Sequence, residues 1–159
     1  MILREELTMI TKDYENFVYA DGGRELSGFK GKAGDCGARA LSIATAYHKN
    51  SFVDYTHSYK LLAQANKDFG FAKSARNGVE KTVFHSVINK LGWDWYPAPK
   101  FQGRKARCKD LPKGCFIAQQ AGHYVAVIDG VPWDIFDSSH KMVYGYWKKN
   151  WCFTWEKKQ

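Results

Sequence analysis

The sequence predicts an α+β fold, and three observations carry that expectation. Apolar residues recur at helical spacing between positions 35 and 92, short apolar and aromatic runs replace them from Trp93 onward, and turn residues separate those runs. Helices followed by successive strands imply N-terminal helices packed on a C-terminal antiparallel sheet, not a doubly wound arrangement. The chain has 159 residues, 45% of them hydrophobic, which is enough for one substantial core and too little for two comfortable ones. A single domain over 1–159 is expected, comprising a hairpin and loop (1–33), a helical half (34–92) and a sheet half (93–159), with no internal repeat.

Residues Thr11 to Phe29 read as a hairpin. Tyr14, Phe17, Val18 and Tyr19 lead into Asp21-Gly22-Gly23 as the turn, and the chain returns through Leu26 and Phe29. Lys30-Gly31-Lys32-Ala33-Gly34 then forms a loop whose glycines permit close backbone approach. From Asp35 the pattern is helical: Asp35 is placed to accept from the free N–H groups of the first turn, and Cys36, Ala40, Ile43, Ala44 and Tyr47 share one face. Ala38, Ala40, Ala44 and Ala46 are small enough to let this helix lie close against a sheet.

Ser51 with Asp54 resembles a capping box for a second helix, supported by Tyr55, Tyr59, Leu62 and Phe69 and ended by Gly70. Asn77 with Glu80 repeats the signal for a third. Its apolar face runs through Val79, Val83, Phe84, Val87, Ile88 and Leu91, and Gly92 closes it. Strands are expected at Trp93 to Tyr96, Cys115 to Gln119, His123 to Ile128, Val131 to Phe136, Met142 to Trp147 and Trp151 to Trp155.

Composition narrows the function classes. No stretch approaches the ~20 apolar residues of a membrane-spanning helix, and Met1-Ile2-Leu3-Arg4-Glu5-Glu6 lacks the basic-then-apolar pattern of a signal peptide. A cytoplasmic protein with no membrane partner is expected. Cys36, Cys108, Cys115 and Cys152 should then be reduced, and no CxxC pair announces a metal or redox site, so neither metal nor cofactor is expected. The net charge of +8 favours anionic partners. Its densest run, including Lys100, Arg104, Lys105 and Arg107, lies in a linker between Trp93 and Cys115 that reads as a solvated loop, with nucleic-acid contact as the alternative.

The chemistry centres on Cys36 and His123. A thiol attacks as thiolate, and a free cysteine, with a pKa of about 8.5, needs a helix N-terminus or an imidazolium beside it to become one at neutral pH. Cys36 sits where a helix starts, and His123 opens the apolar run His123-Tyr124-Val125-Ala126-Val127. If Asp129-Gly130 is a two-residue turn, Ile128 faces Val131 and Val125 faces Asp134. Asp134 then lies diagonal to His123 on the same face, able to orient the imidazole. A three-residue turn would bring Asp137 opposite His123 instead.

Asp35-Cys36-Gly37 opening an alanine-rich helix, then Gly122-His123-Tyr124-Val125-Ala126-Val127, then Asp134 on a following strand, resembles the papain-like cysteine peptidase superfamily. The likeness is nearest to small bacterial and phage-type papain-fold proteins, including the bacteriocin-leader peptidase domains of ABC exporters. The resemblance implies a papain-like domain with the nucleophile helix first, Cys36 as nucleophile, His123 as general base and acid, and Asp134 as orienter, followed by an aromatic at Phe136. It also implies a peptide or protein substrate beside Gly34, Asp35, Gly122 and Phe136. The family commonly places a Gln six residues before the nucleophile as oxyanion donor. Here that position is Lys30, leaving the Cys36 backbone N–H, with Lys30, Lys32 or Asn16 as helpers.

Two readings follow. One is a thiol hydrolase, whether peptidase, isopeptidase or amidase, working through an acyl-enzyme, with acyl transfer to an amine as a variant of the same chemistry. The other is a catalytically weak or inactive papain-fold protein that binds nucleic acid or an acidic protein through its basic surface. The remaining residues of these types have plainer expectations: Cys115 and Cys152 as buried strand residues, Cys108 as an exposed spectator, and His48, His57, His85 and His140 as surface residues. The tryptophans Trp133, Trp147, Trp151 and Trp155 are expected to cover the sheet.

Overall fold

The helix α1 (Cys36–Tyr47) is the element the others surround, and every residue from Cys36 to Thr45 is buried. The predicted stripe is therefore one side of a helix covered all round. Small residues make this possible: a Cβ added at Gly37 would lie 3.2 Å from Leu62 and 3.3 Å from Phe84. The loop ahead of α1 presses on it as closely. Gly22 has φ +70°, and a Cβ there would meet the Arg39 carbonyl oxygen at 3.0 Å, so both conformation and space call for glycine. The hydroxyls buried with α1 are satisfied: Ser42 donates to the Gly22 carbonyl (2.6 Å) and Thr45 to the Leu41 carbonyl (2.7 Å).

The computed structural model describes residues 9, 11–30, 35–48, 51–71 and 78–150. Gly34, Lys32, Asn77, Cys152 and the expected strand Trp151 to Trp155 lie outside the described residues. Two more helices lean on α1. In α2 (Tyr55–Asp68) the cap is Asp54 alone, whose carboxylate accepts from His57 N (2.8 Å); Ser51 does not reciprocate because it belongs to a separate turn bonded to the His48 carbonyl (2.8 Å). In α3 (Lys81–Lys90), Glu80 holds the N-cap position without a side-chain bond.

Among the described residues the strands are β1 (Thr11–Asp13), β2 (Val18–Ala20), β3 (Trp93–Pro97), β4 (Cys115–Gln120), β5 (His123–Ile128), β6 (Val131–Asp134) and β7 (Gly145–Lys149). They form one sheet ordered β1-β2-β6-β5-β4-β7-β3. The fold is α+β, but the expected antiparallel sheet is corrected to a mixed one, because β2 runs parallel to β6. The N-terminal hairpin is also corrected. Its turn is Tyr14 to Phe17, closed by Tyr14 N to Phe17 O (2.9 Å), with the two rings stacked at 4.8 Å. Asp21 instead draws the next segment into a coil, its carboxylate accepting from Gly23 N and Glu25 N, both at 2.9 Å. Leu26 is left exposed, and Phe29 packs on Tyr55 and Tyr59 in place of a returning strand.

Two strands depart from their expected bounds by more than one residue. β6 ends at Asp134, where Ile135 N turns to bond the Asp134 side chain (2.7 Å). β7 begins at Gly145, over which the Trp95 indole lies so closely that a Cβ would sit 2.2 Å from it. Alternation gives the sheet two covered faces. Ile117, Tyr124, Ala126, Trp133 and Trp147 pack with the helices; Phe116, Ala118, Val125 and Val127 pack with Cys108, Leu111 and Val143 from loops. Cys108 is thus fully buried, not exposed, and burial pushes its thiol up to about 12. It opens a short 3-10 turn (Cys108–Asp110) tied down by Arg104, which donates twice to Asp110 (2.8 Å each). Among the described residues no helix is long and apolar enough to cross a membrane.

Candidate active site

His123 is the first residue of β5 and Asp134 the last of β6, so antiparallel pairing brings both to the same end of the sheet. The register is the two-residue-turn alternative: Ile128 pairs with Val131 and Ala126 with Trp133. Asp129 (φ +51°) and Gly130 (φ +81°) both take positive φ, as such a turn requires. Asp134 Oδ2 lies 2.5 Å from His123 Nε2. Asp137, the alternate, points elsewhere and accepts from Ser139 N (2.8 Å).

The N-terminus of α1 abuts this end of the sheet, and the Cys36 side chain lies close enough to the His123 ring, in the wall of the same cleft, to raise its pKa. With Nε2 committed to Asp134, Nδ1 is the nitrogen left for sulfur. Burial by itself would lower the imidazole pKa. The bond to Asp134 and the contact with Cys36 outweigh it and hold His123 up at about 9, so the ring carries a proton at neutral pH. Phe136 covers the ring, with centroids 5.0 Å apart.

Comparison with protein-family models, curated proteins and solved structures finds no match for this chain.

Cys36 and His123 share the wall of a cleft of about 360 Å³. Gly122 and Gln119 line one side; Gly78, Val79, Glu80 and Lys81 line the other. Tyr124 fixes that second wall, donating its hydroxyl to the Val79 carbonyl (2.6 Å) and stacking on Phe84 at 4.2 Å. Gly122 is therefore where a substrate-contacting residue was expected. Asp35 is not: it is buried and does not line the cleft.

Of the expected oxyanion helpers, Lys30 and Asn16 are not brought to the cleft either. Lys30 lines a separate pocket with Tyr19, Arg24 and Phe29, and Asn16 sits exposed in the β1–β2 turn. What remains is backbone. The first α-helical bond runs from Arg39 N to Asp35 O (3.1 Å), so the N–H of Cys36 precedes the helical ladder at the positive end of the helix dipole.

Asp35 also departs from its expected capping role, with no side-chain cap bond to α1. Its Oδ1 takes Arg39 Nε (3.3 Å), and its Oδ2 takes the Tyr55 hydroxyl and lies 3.2 Å from Arg24 Nε. The residue that sequence reasoning passed over is Arg39, 2% exposed, whose Nη1 lies 2.5 Å from Asp134 Oδ1. A signal existed: a charged side chain four residues after Asp35 in an otherwise apolar, alanine-rich helix.

Two of the expected surface histidines are also relocated. His48 is half-buried near the C-terminal end of α1, and His85 is half-buried, accepting from Trp147 Nε1 (3.0 Å).

Proposed function

We propose that the protein is a cysteine hydrolase acting on amide bonds, a peptidase, isopeptidase or amidase of papain-like plan, with Cys36, His123 and Asp134 as its triad. The observation that carries this reading is one imidazole bonded to a carboxylate and set beside a thiol in the wall of a cleft. His123 is already protonated at neutral pH, so the reacting form is a thiolate–imidazolium pair, and the Cys36 thiolate attacks the substrate carbonyl carbon. The oxyanion of the tetrahedral intermediate is met by the Cys36 N–H. As it collapses the C–N bond breaks, and His123 returns the proton to the departing amine. Water, deprotonated by His123, then splits the thioester, releasing the carboxylic acid and restoring the thiolate–imidazolium pair. Asp134 accepts from Nε2 throughout and stabilises the imidazolium.

The test is labelling of the full chain by a peptidyl acyloxymethyl ketone, mapped by mass spectrometry. Labelling should fall on Cys36 and vanish in Cys36→Ala, with Cys108 and Cys115 untouched. Equal labelling of wild type and Cys36→Ala ends the proposal.

The second reading, a basic binding protein, is supported by the net charge of +8 and by the exposed Lys100, Lys105 and Arg107. It requires affinity for nucleic acid that falls steeply with salt and survives Cys36→Ala. No binding at low salt removes it.

A further inference from the structure

We propose that Arg39 is a positioning residue for the triad, a clamp through which α1 holds both the nucleophile and the carboxylate that orients its base. The proposal rests on the hydrolase reading of Cys36, His123 and Asp134, and deepens it.

Asp134 is held by three partners among the described residues. Its two oxygens are divided: Oδ2 serves His123, while Oδ1 takes Arg39 Nη1 at 2.5 Å and the backbone Ile135 N at 2.7 Å. A carboxylate held only by the adjacent backbone amide can pivot about its Cα–Cβ bond. A guanidinium on Oδ1 stops that rotation and leaves Oδ2 aimed at the ring.

Arg39 is itself fixed from several sides. Its Nε is on Asp35 Oδ1, and Asp35 is in turn braced by the Tyr55 hydroxyl from α2 and by Arg24 from the loop after β2. The backbone of Arg39 lies directly under Gly22. Burial opposes the charge on Arg39, yet Asp134 and Asp35 together keep the guanidinium protonated.

The sequence spacing gives the arrangement its consequence. Cys36 and Arg39 are three residues apart on α1, hence neighbours on one helix face. The contacts close a ring from Cys36 to His123, to Asp134, to Arg39 and back to α1. The separation between nucleophile and orienter is thus set by one rigid turn of helix instead of by the packing of a sheet against a helix. A lysine could supply the charge but not the fork that reaches Asp35 and Asp134 together.

The experiment follows the His123 ring by NMR titration of the full chain in wild type, Arg39→Gln and Arg39→Lys, alongside Cys36 labelling rates. Wild type should titrate at about 9. In both variants the clamp is lost, Asp134 leaves the ring, and the His123 pKa should fall to about 6.5 or below. Cys36 labelling should slow by roughly 100-fold, the cost of a misplacement near 1 Å. A charge effect without positioning predicts the reverse: removing a nearby cation in Arg39→Gln raises the His123 pKa, and Arg39→Lys leaves it unchanged. Either of those results overturns the proposal. Arg39→Lys keeps the buried charge balanced, and it decides the matter if Arg39→Gln does not fold. The two proposals also fail separately. A wild-type chain that takes no label at Cys36 sinks the hydrolase reading, while the His123 titration still reports whether Arg39 positions Asp134.

Discussion

The two ends of α1 bring together the same two residue types in opposite surroundings. At the N-terminus Cys36 meets His123; at the C-terminus Cys115 donates its thiol to the Ala44 carbonyl (3.8 Å) and its backbone bonds His48. Both pairs border open space, the cleft of about 360 Å³ at one end and a pocket of about 270 Å³ at the other. Yet His123 is held up at about 9 while His48 is pushed down to about 4. Burial lowers both. At the first end a carboxylate accepts from the ring and reverses the effect; at the second the Lys149 ammonium adds to it. Burial also pushes the Cys115 thiol up strongly, so that it stays protonated. A cysteine near a histidine is thus not yet a reactive pair, and the third group decides.

Breaking the N-terminal end should have the largest effect. Asp134→Ala leaves the Arg39 guanidinium and the His123 imidazolium facing an empty site, and loss of one partner from a buried ionic cluster costs about 3–5 kcal/mol, read as a drop in urea unfolding free energy. The matching change at the other end, Lys149→Met, exchanges a buried ammonium for an apolar chain of similar length. It gives up the bond from Nζ to the Leu91 carbonyl (2.8 Å), so stability should move by only about 1 kcal/mol either way. If the two substitutions cost the same, the contrast between the ends is wrong.

A smaller loss is expected from Gly22→Ala. The positive φ and the 3.0 Å approach to the Arg39 carbonyl both resist a methyl group, which should cost roughly 1–3 kcal/mol and lift the loop from α1. Slower Cys36 labelling in this variant would show that the loop supports the site through Arg39.

The two histidines should also give the stability profile two limbs. His123 has a folded pKa of about 9, above its unfolded value, so its contribution is complete below pH ~6.5 and is lost as pH rises through about 9. His48 has a folded pKa of about 4, below its unfolded value, so its contribution is complete above pH ~6.5 and is lost as pH falls through about 4. Urea midpoints measured across this range should peak near pH 6.5 from these two groups. His48→Phe should flatten the acid limb alone, and His123→Leu the alkaline limb alone. The smallest effect belongs to Asp137→Asn, which touches neither end. It should change stability by no more than about 0.5 kcal/mol and leave Cys36 labelling unchanged.

What the sequence determined by itself was local. The start of α1 at Cys36 and the bounds of β5 were legible, and the register of β5 on β6 was legible as the first of two alternatives. They depend on hydrophobic period and on the Asp129-Gly130 turn, which are properties of neighbouring residues. That register is what selected Asp134 over Asp137. The tertiary structure alone decided which distant side chains meet. The parallel pairing of β2 with β6 joins segments on either side of all three helices. Arg39 meets Asp134 across 95 residues. Asp35 exchanged a helix cap for two guanidinium groups, Cys108 moved from expected surface to interior, and His48 became half-buried. Periodicity reports which face of an element is buried, but a buried charge takes its role from the opposite charge across the core, and that partner is set only when the elements pack.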